Sequence, residues 1–259
     1  ILNMIEVFES GTDVHTKTAM FIVNTFMNDQ VPDDFKVKAL APMGDATHSW
    51  RDWGKKANHG FNYDWGPDAF ALKNEIPNSE GRKIYNAYHT LYPGVKRGFH
   101  AYVRRCLRTN RTLVNLLGRR TVFLDKLDDA TFKEAFSCIP QGSVGDIINE
   151  RGIEYIYYNQ SLFQPIDILR QVHDEIGFQI PLSIPWPMHA RMLNLIKASL
   201  ETPLTTHYGR TFVIPASLTM GVCLNKHIGY DIDSDKWPDS EDQLAKTLAE
   251  GWERLHSNA

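Results

Sequence analysis

Residues 171–181 read QVHDEIGFQIP, with the apolar-rich arms DILRQV before the acidic pair and IGFQIP after it. Arms of this kind around a short polar reversal predict a β-hairpin over 166–181 and make its strands antiparallel. The spacing puts Asp174 and Glu175 at the bend, with His173 beside them. An ordinary two-residue turn prefers Asn-Gly or Asp-Gly. Adjacent carboxylates at such a tip serve either as solvated punctuation or as ligands for a hard cation.

The rest of the chain has a different texture on either side of residue 111. Helical periodicity runs through 2–9 and 13–27, with Ser10–Gly11 between them and Asp13 placed as a cap. Residues 28–50, with Pro32, Asp33, Asp34, Pro42 and Gly44, read as irregular. Helices are predicted at 51–63, 67–74 and 78–91, then a hard break at Tyr92–Pro93–Gly94, then a basic helix at 95–109. Beyond it, RTLVNLLGRRTVFL has strand-like arms around Leu117–Gly118. One long helix is expected over 130–158, bent or closely contacted at Pro140 and Gly142. After the 166–181 hairpin come a helix at 187–200, strand-like TFVIP (211–215) and LTMGVCL (218–224), an acidic link and a helix at 240–256. Helices first, then antiparallel strands mixed with helices, make an α+β chain rather than a doubly wound sheet.

With 259 residues, 42% apolar and 23% charged, the chain suits one or two globular domains with a sizeable core. No apolar run is long enough for a membrane span, and no secretory signal is visible. Cys106, Cys138 and Cys223 are scattered and odd in number, which argues against a disulfide framework and fits a reducing cytoplasm. The chain opens at Ile1 directly in a helical pattern and is read as the continuation of a longer polypeptide.

Charge is unevenly distributed. Residues 96–120 hold eight Lys/Arg and no acid, whereas 229–253 hold eight Asp/Glu against two lysines. A basic stretch with Phe99, His100 and Tyr102 interleaved suits a phosphate backbone, and a solvated helix face is the plainer alternative. Within RDWGKKANHGFNYD, Arg51, Lys55, His59 and Tyr63 lie four apart and fall on one helical stripe. Two cations, an imidazole and a phenol suit a triphosphate and a base, although a basic surface anchored by Tyr63 reads the same way. His15 lies one turn into a helix that starts near Asp13. Gln141, between Pro140 and Gly142, is placed either to reach a minor-groove acceptor or to satisfy backbone at a bend.

Taken in order, GTDVHTKTA, RDWGKKANHGFNY, YNAYHTLYPGV, NLLGRRTVFL, IPQGSVGDII and QVHDEIGFQIP resemble segments of the A-family DNA polymerases over about residues 5–215. That family contains bacterial DNA polymerase I and many phage replicases. The resemblance implies a right-hand polymerase: helical fingers over 1–125, with the motif B helix at about 51–64. The C-terminal part of an antiparallel-sheet palm follows at 126–224, with the motif C hairpin at 166–181. A C-terminal extension, 225–259, matches nothing in the family.

By position, the resemblance makes Asp174 a ligand of two catalytic magnesium ions, with Glu175 its neighbour in the motif. Arg51 and Lys55 would hold the incoming triphosphate, and Lys55 would also protonate the departing pyrophosphate. His15 would touch the triphosphate, His59 the sugar, and Tyr63 the templating base. Gln141, Arg119, His173, Arg104 and Arg105 make up the expected DNA-contacting set. The implied reaction is template-directed nucleotidyl transfer from a dNTP to a primer 3′-hydroxyl, in the cytoplasm of a bacterial or phage-infected cell. Primer–template DNA and dNTP are the implied partners; a processivity factor stays open.

Three features depart from the family. The DYSQIE-like strand that supplies the second metal-binding aspartate is not among these residues, so the chain by itself is expected to be inactive. His59 stands where the family has Phe or Tyr, and Asp64 where it has glycine. A non-catalytic nucleic-acid-binding module and, more remotely, a metal-dependent phosphohydrolase are the other classes compatible with the sequence.

Overall fold

The computed structural model describes residues 2–10, 13–27, 49–206, 208–223 and 228–257. Apart from Ser49 and Trp50, the 28–50 connection lies outside them. The chain divides into two compact units, Ile1–Val114 with Arg120–Ile139, and Asn115–Arg119 with Pro140–Ala259. The later division falls at 139/140, inside a helix.

In the first unit, α1 (Leu2–Glu9) and α2 (Val14–Met27) are followed by α3 (Trp50–Asn62), α4 (Pro67–Lys73) and α5 (Asn78–Leu91). Asp13 caps α2 by accepting from the Thr16 amide at 2.9 Å. Ser49 and Asp52 form a reciprocal capping box at the start of α3. Gly66 caps α4, and Pro67 opens it, where a missing N–H costs nothing. The apolar faces meet around Ile22, Ala57, Phe61, Phe70, Ile84, Tyr88 and Tyr92. Phe61 is wholly buried at the centre of an aromatic cluster with Phe70, Tyr85 and Tyr88.

The break at 92–94 is shorter than its proline and glycine suggest. Only Tyr92 leaves helical form, and Pro93 opens the next helical run. That run is π-helical over Val95–His100 before α6 (Ala101–Asn110). Next, β1 (Thr112–Val114) pairs antiparallel with β2 (Arg120–Val122). Gly118 turns the hairpin at φ +90, a conformation that suits glycine. Val103, Leu107, Leu113 and Phe123 pack on Phe132, Ala135 and Phe136 of α7 (Asp129–Asp146).

The second unit continues from α7 through a π-helical segment, Ile147–Ile153, into α8 (Glu154–Tyr158) and α9 (Gln160–Phe163). The predicted helix over 130–158 is thus continuous, but widened in its middle. A hairpin follows, β3 (Asp167–Val172) with β4 (Glu175–Gln179), then α10 (Trp186–Leu200). Gly152 lets the π segment touch the hairpin: a Cβ there would lie 2.3 Å from Ile176 Cδ1.

TFVIP and LTMGVCL yield only the short strands β6 (Thr211–Phe212) and β7 (Leu218–Met220). They pair with β5 (Leu204–Thr205) and β8 (Tyr230–Ile232), neither of which has a strand pattern long enough to read. Among the described residues the strands form separate two-stranded antiparallel pairs, and with the helices they make the α+β class expected. The described part of the C-terminal extension packs on the second unit. Leu244, Ala245 and Leu248 of α11 (Glu241–Ser257) pack with Ala190 and Leu193 of α10 and Ile232 of β8. No described helix is long and apolar enough to cross a membrane.

Candidate functional site

The stripe on α3 is held from behind by residues of α2 and its cap. The two helices meet at Gly54, where a Cβ would lie 2.0 Å from the His15 carbonyl oxygen, so only glycine fits without moving backbone. Arg51 donates from Nε to Asp13 Oδ2 at 2.8 Å and from Nη2 to Asp13 Oδ1 at 3.1 Å. Burial pushes the Asp13 carboxyl up, but Arg51 and Thr16 outweigh it and hold the group well below the usual carboxylate range. A planar fork gripped at two oxygens keeps its remaining N–H groups in fixed directions.

His15 is fixed in tautomer as well as place. The Asn58 amide nitrogen donates to His15 Nδ1 at 3.0 Å and also faces the Val14 carbonyl at 3.4 Å. Asn58 Oδ1 accepts from the Thr18 hydroxyl at 3.0 Å, and Thr18 Oγ1 lies 3.2 Å from Tyr92 Oη. Because Nδ1 accepts, Nε2 carries the ring hydrogen and is the end left to donate. Burial lowers the His15 pKa, Arg51 and Lys55 lower it further, and Asp13 opposes them. A neutral imidazole with its N–H outward results.

Lys55 and His59 are exposed one and two turns beyond Arg51. The His59 ring meets Tyr63 edge-on, 5.1 Å between centroids, and Trp65 at 6.5 Å. Tyr63 caps the helix and packs against the cluster of Val103 and Phe136. Asp64 follows with φ +60, left-handed backbone that glycine adopts freely.

The hairpin turn differs by one residue from its expected place. Val172 pairs with Glu175, so the two-residue loop is His173–Asp174 and Glu175 begins β4. His173 takes φ +51, as the first position of a tight hairpin loop requires, and histidine is among the residues that tolerate it. Asp174 is exposed and, among the described residues, has no hydrogen bond or ion pair. Glu175 is turned away to Arg170, whose Nη2 donates to Oε1 at 3.1 Å. Arg170 reaches it by crossing Gly177, where a Cβ would sit 2.8 Å from Arg170 Cγ. The tip thus offers one free carboxylate to a hard cation, not two, and the described residues hold no cluster of three metal-ligating side chains. Its oxygen donors suit magnesium, with Asp174 as the available ligand.

Half of the basic stretch has polar partners within the chain, although of these four only Arg104 is partly buried. Arg104 is ion-paired to Asp64 and stacks over Phe136. Lys96 donates to Tyr85 Oη, and Arg111 donates to the carbonyls of Phe123 and Asp125. Arg119 donates to Asp146 at 2.8 Å and to the Gly142 carbonyl at 3.2 Å. Arg97, Arg105, Arg108 and Arg120 remain exposed. Of the DNA-contacting set, Arg104 and Arg119 have intramolecular carboxylate partners, while Arg105, Gln141 and His173 lie at the surface. Gly142 makes the close contact expected of it, against Arg119.

The sequence reading passes over Asn58, Gly54, Asp146 and Arg170, and takes His100 only as a ring interleaved in the basic stretch. Gly54 and Asn58 are themselves four apart and form the row of α3 beside the stripe, so helical spacing was the signal available for them.

The profile of DNA polymerase family A matches residues 2–212. Similar curated proteins include the DNA polymerase I of Geobacillus stearothermophilus, 28% identical over 81% of this chain and 23% of that protein. Those of Streptococcus pneumoniae and Treponema pallidum are 27% and 26% identical over 77% and 79% of this chain, and 21% and 20% of their own lengths. The chain thus spans between a fifth and a quarter of the length of these relatives. Among solved structures, the POL domain of Pol1 from M. smegmatis, in complex with DNA primer-template and dNTP, aligns with a TM-score of 0.59. It shares 22% identity over 78% of this chain and 33% of its own. The structural likeness concerns the fold; the profile match, over most of the sequence, establishes that the chain belongs to DNA polymerase family A.

Proposed function

We propose that this chain carries the triphosphate-binding strip and one metal-binding carboxylate of a polymerase performing template-directed DNA synthesis. The observation that carries the reading is the back-supported stripe on α3: Arg51 gripped by Asp13, and His15 fixed by Asn58, in a chain of this family. The first unit corresponds to fingers and the second to part of a palm. Primer–template DNA and dNTP, present in the mycobacterial neighbour, are the proposed partners.

In the proposed reaction the primer 3′-hydroxyl gives up its proton to solvent, its oxygen bonds to the α-phosphorus, and the bond from that phosphorus to the oxygen bridging the β-phosphate breaks, releasing pyrophosphate. Arg51 and Lys55 neutralise the phosphates as charge develops there. His15 donates its Nε2–H to a phosphate oxygen. Lys55, exposed on the stripe, gives its proton to the departing pyrophosphate. Tyr63 offers a ring face to the templating base, and His59 stands beside it at the sugar. Asp174, joined by an aspartate from outside these residues, would hold magnesium, which supplies activation of the hydroxyl and stabilisation of the leaving oxygen. Pairing with the template carries sequence choice, so the protein needs shape and stacking more than base-edge contacts.

Single-nucleotide incorporation by the polymerase that carries this chain tests the reading. Lys55→Ala is expected to lower the rate by about a hundredfold or more, the scale of losing one acid or one oxyanion donor. A rate within threefold of wild type overturns the proposal.

A further inference from the structure

We infer that Asp64, with His100 and Arg104, is a positioning device for Tyr63 and sets how strictly this polymerase selects the incoming nucleotide. The inference rests on the proposed role of the α3 stripe. It starts from a conformational oddity. Position 64 needs left-handed backbone, φ +60, which glycine supplies without strain. An aspartate there tolerates the bend better than most side chains, and its carboxylate has a use that glycine lacks.

That carboxylate is mostly buried and ion-paired to Arg104. Its other oxygen lies 3.4 Å from His100 Nδ1 without a hydrogen bond between them, so Arg104 is what holds the carboxylate. On its far side the His100 ring reaches the carbonyl of Asn62, with Nε2 at 2.7 Å. His100 and Arg104 stand one helical turn apart, so both point at the same end of α3. They are themselves immobilised. His100 is fully buried with its ring 4.2 Å from that of Phe136, and the Arg104 guanidinium lies 4.9 Å above the same ring. The chain is therefore gripped at Asn62 through its backbone and at Asp64 through its side chain, on either side of Tyr63. Tyr63 cannot shift without breaking a buried polar contact, which is costly because the groups left behind lose both partner and water. Burial pushes the Asp64 carboxyl up, but His100 and Arg104 bring it down to about 2, so the grip is charged at neutral pH.

A grip on the residue that faces the templating base acts on discrimination more than on overall binding. Asp64→Asn keeps a side chain that tolerates the bend but loses the charge; Asp64→Gly relieves the bend and loses the side chain altogether. Both, and Lys55→Ala, would be measured by single-turnover incorporation of matched and mismatched nucleotides, with thermal unfolding alongside. In both Asp64 variants the mismatched-to-matched ratio is expected to rise by about tenfold, within the usual range of coupling between neighbouring sites. Matched-nucleotide affinity should change little. Lys55→Ala should weaken nucleotide binding and leave that ratio alone. A wild-type ratio in folded Asp64 variants, with Lys55→Ala weakened as expected, overturns the positioning role by itself. An unaffected Lys55→Ala overturns the stripe and the positioning role together.

Discussion

The α3 stripe and the β3–β4 tip present their chemistry in opposite ways. At the head of the stripe Arg51 is backed by Asp13, and on the neighbouring helix α2 His15 is backed by Asn58. At the tip, Asp174 has no such backing among the described residues. It is placed by backbone alone, through the Val172–Glu175 register and the φ +51 of His173. Side-chain length accounts for the contrast. Arginine loses up to about 2 kcal/mol of rotamer entropy on ordering, so the advance support of Arg51 lowers what binding must overcome. An aspartate has little freedom to lose, and a tight turn suffices to aim it. Glu175, one residue on, shows what side-chain support does at the tip: Arg170 draws it away from the loop.

If the tip depends on a single free carboxylate, removing it should have the largest effect of any change. Asp174→Ala in the polymerase is expected to cost several kcal/mol of transition-state stabilisation, about a thousandfold in rate, with DNA affinity retained. Primer extension within tenfold of wild type would show that the tip is not where the metal is held. By the same reasoning, residues 1–259 alone should not extend a primer, and magnesium-dependent extension by them would mean that another of their acids completes the site.

The stripe should fail differently, through its support. Gly54→Ala places a methyl group against the His15 backbone, which is not a flexible end that can swing aside. Overpacking of this kind costs about 1–3 kcal/mol. The first unit should melt earlier, and nucleotide affinity should fall with it. An unchanged melting temperature would mean that α2 and α3 do not cross at Gly54.

A smaller effect separates the exposed from the internal cations. Charge reversal at Arg105 and Arg108 should flatten the log–log salt dependence of duplex binding by about one to two counterions. Arg104→Met should leave that slope unchanged, because its partner is Asp64. A slope that responds to Arg104 as strongly as to Arg105 would show that the ion pair opens on DNA.

The fold class was legible in the sequence because periodicity and turn chemistry agree along most of it. Asp13 as a cap, Pro67 as a helix start and Gly118 as a turn all act where their chemistry places them. The stripe was legible because its spacing of four is also its spatial neighbourhood. What could not be read were pairings between distant segments. Arg104 looks like any cation of a basic helix until Asp64, 40 positions away, is brought to it. The location of the turn missed by one residue because Glu175 is as polar as Asp174, and only register tells loop from strand. Strands of two or three residues, such as β5 and β8, exist through their partners and leave no pattern of their own.

The least effect expected is also the one that most finely tests the support behind the stripe. His15 is neutral because burial, then Arg51 and Lys55, lower its pKa from 6.5 against the pull of Asp13. A triphosphate bound in front of it would stabilise the imidazolium and raise that pKa again. Binding then takes up a proton wherever the free protein is neutral and the complex is charged. Affinity should rise as pH falls through that window, by at most about tenfold per unit for one proton. Stability runs the other way. Below pH 6.5 the unfolded chain binds a proton that the folded His15 refuses, so stability present above 6.5 is lost as pH falls toward the folded pKa. His15→Gln keeps a donor but cannot titrate, so it should abolish the affinity slope and lessen the stability slope, to which the half-buried His89 and the buried His189 also contribute. Dissociation constants for dNTP at pH 5.5, 6.5 and 7.5, in wild type and variant, make the test, since protonation of the nucleotide itself is common to both. Parallel profiles would mean that no phosphate approaches the Nε2 end of His15, and that Asn58 fixes the ring for packing alone.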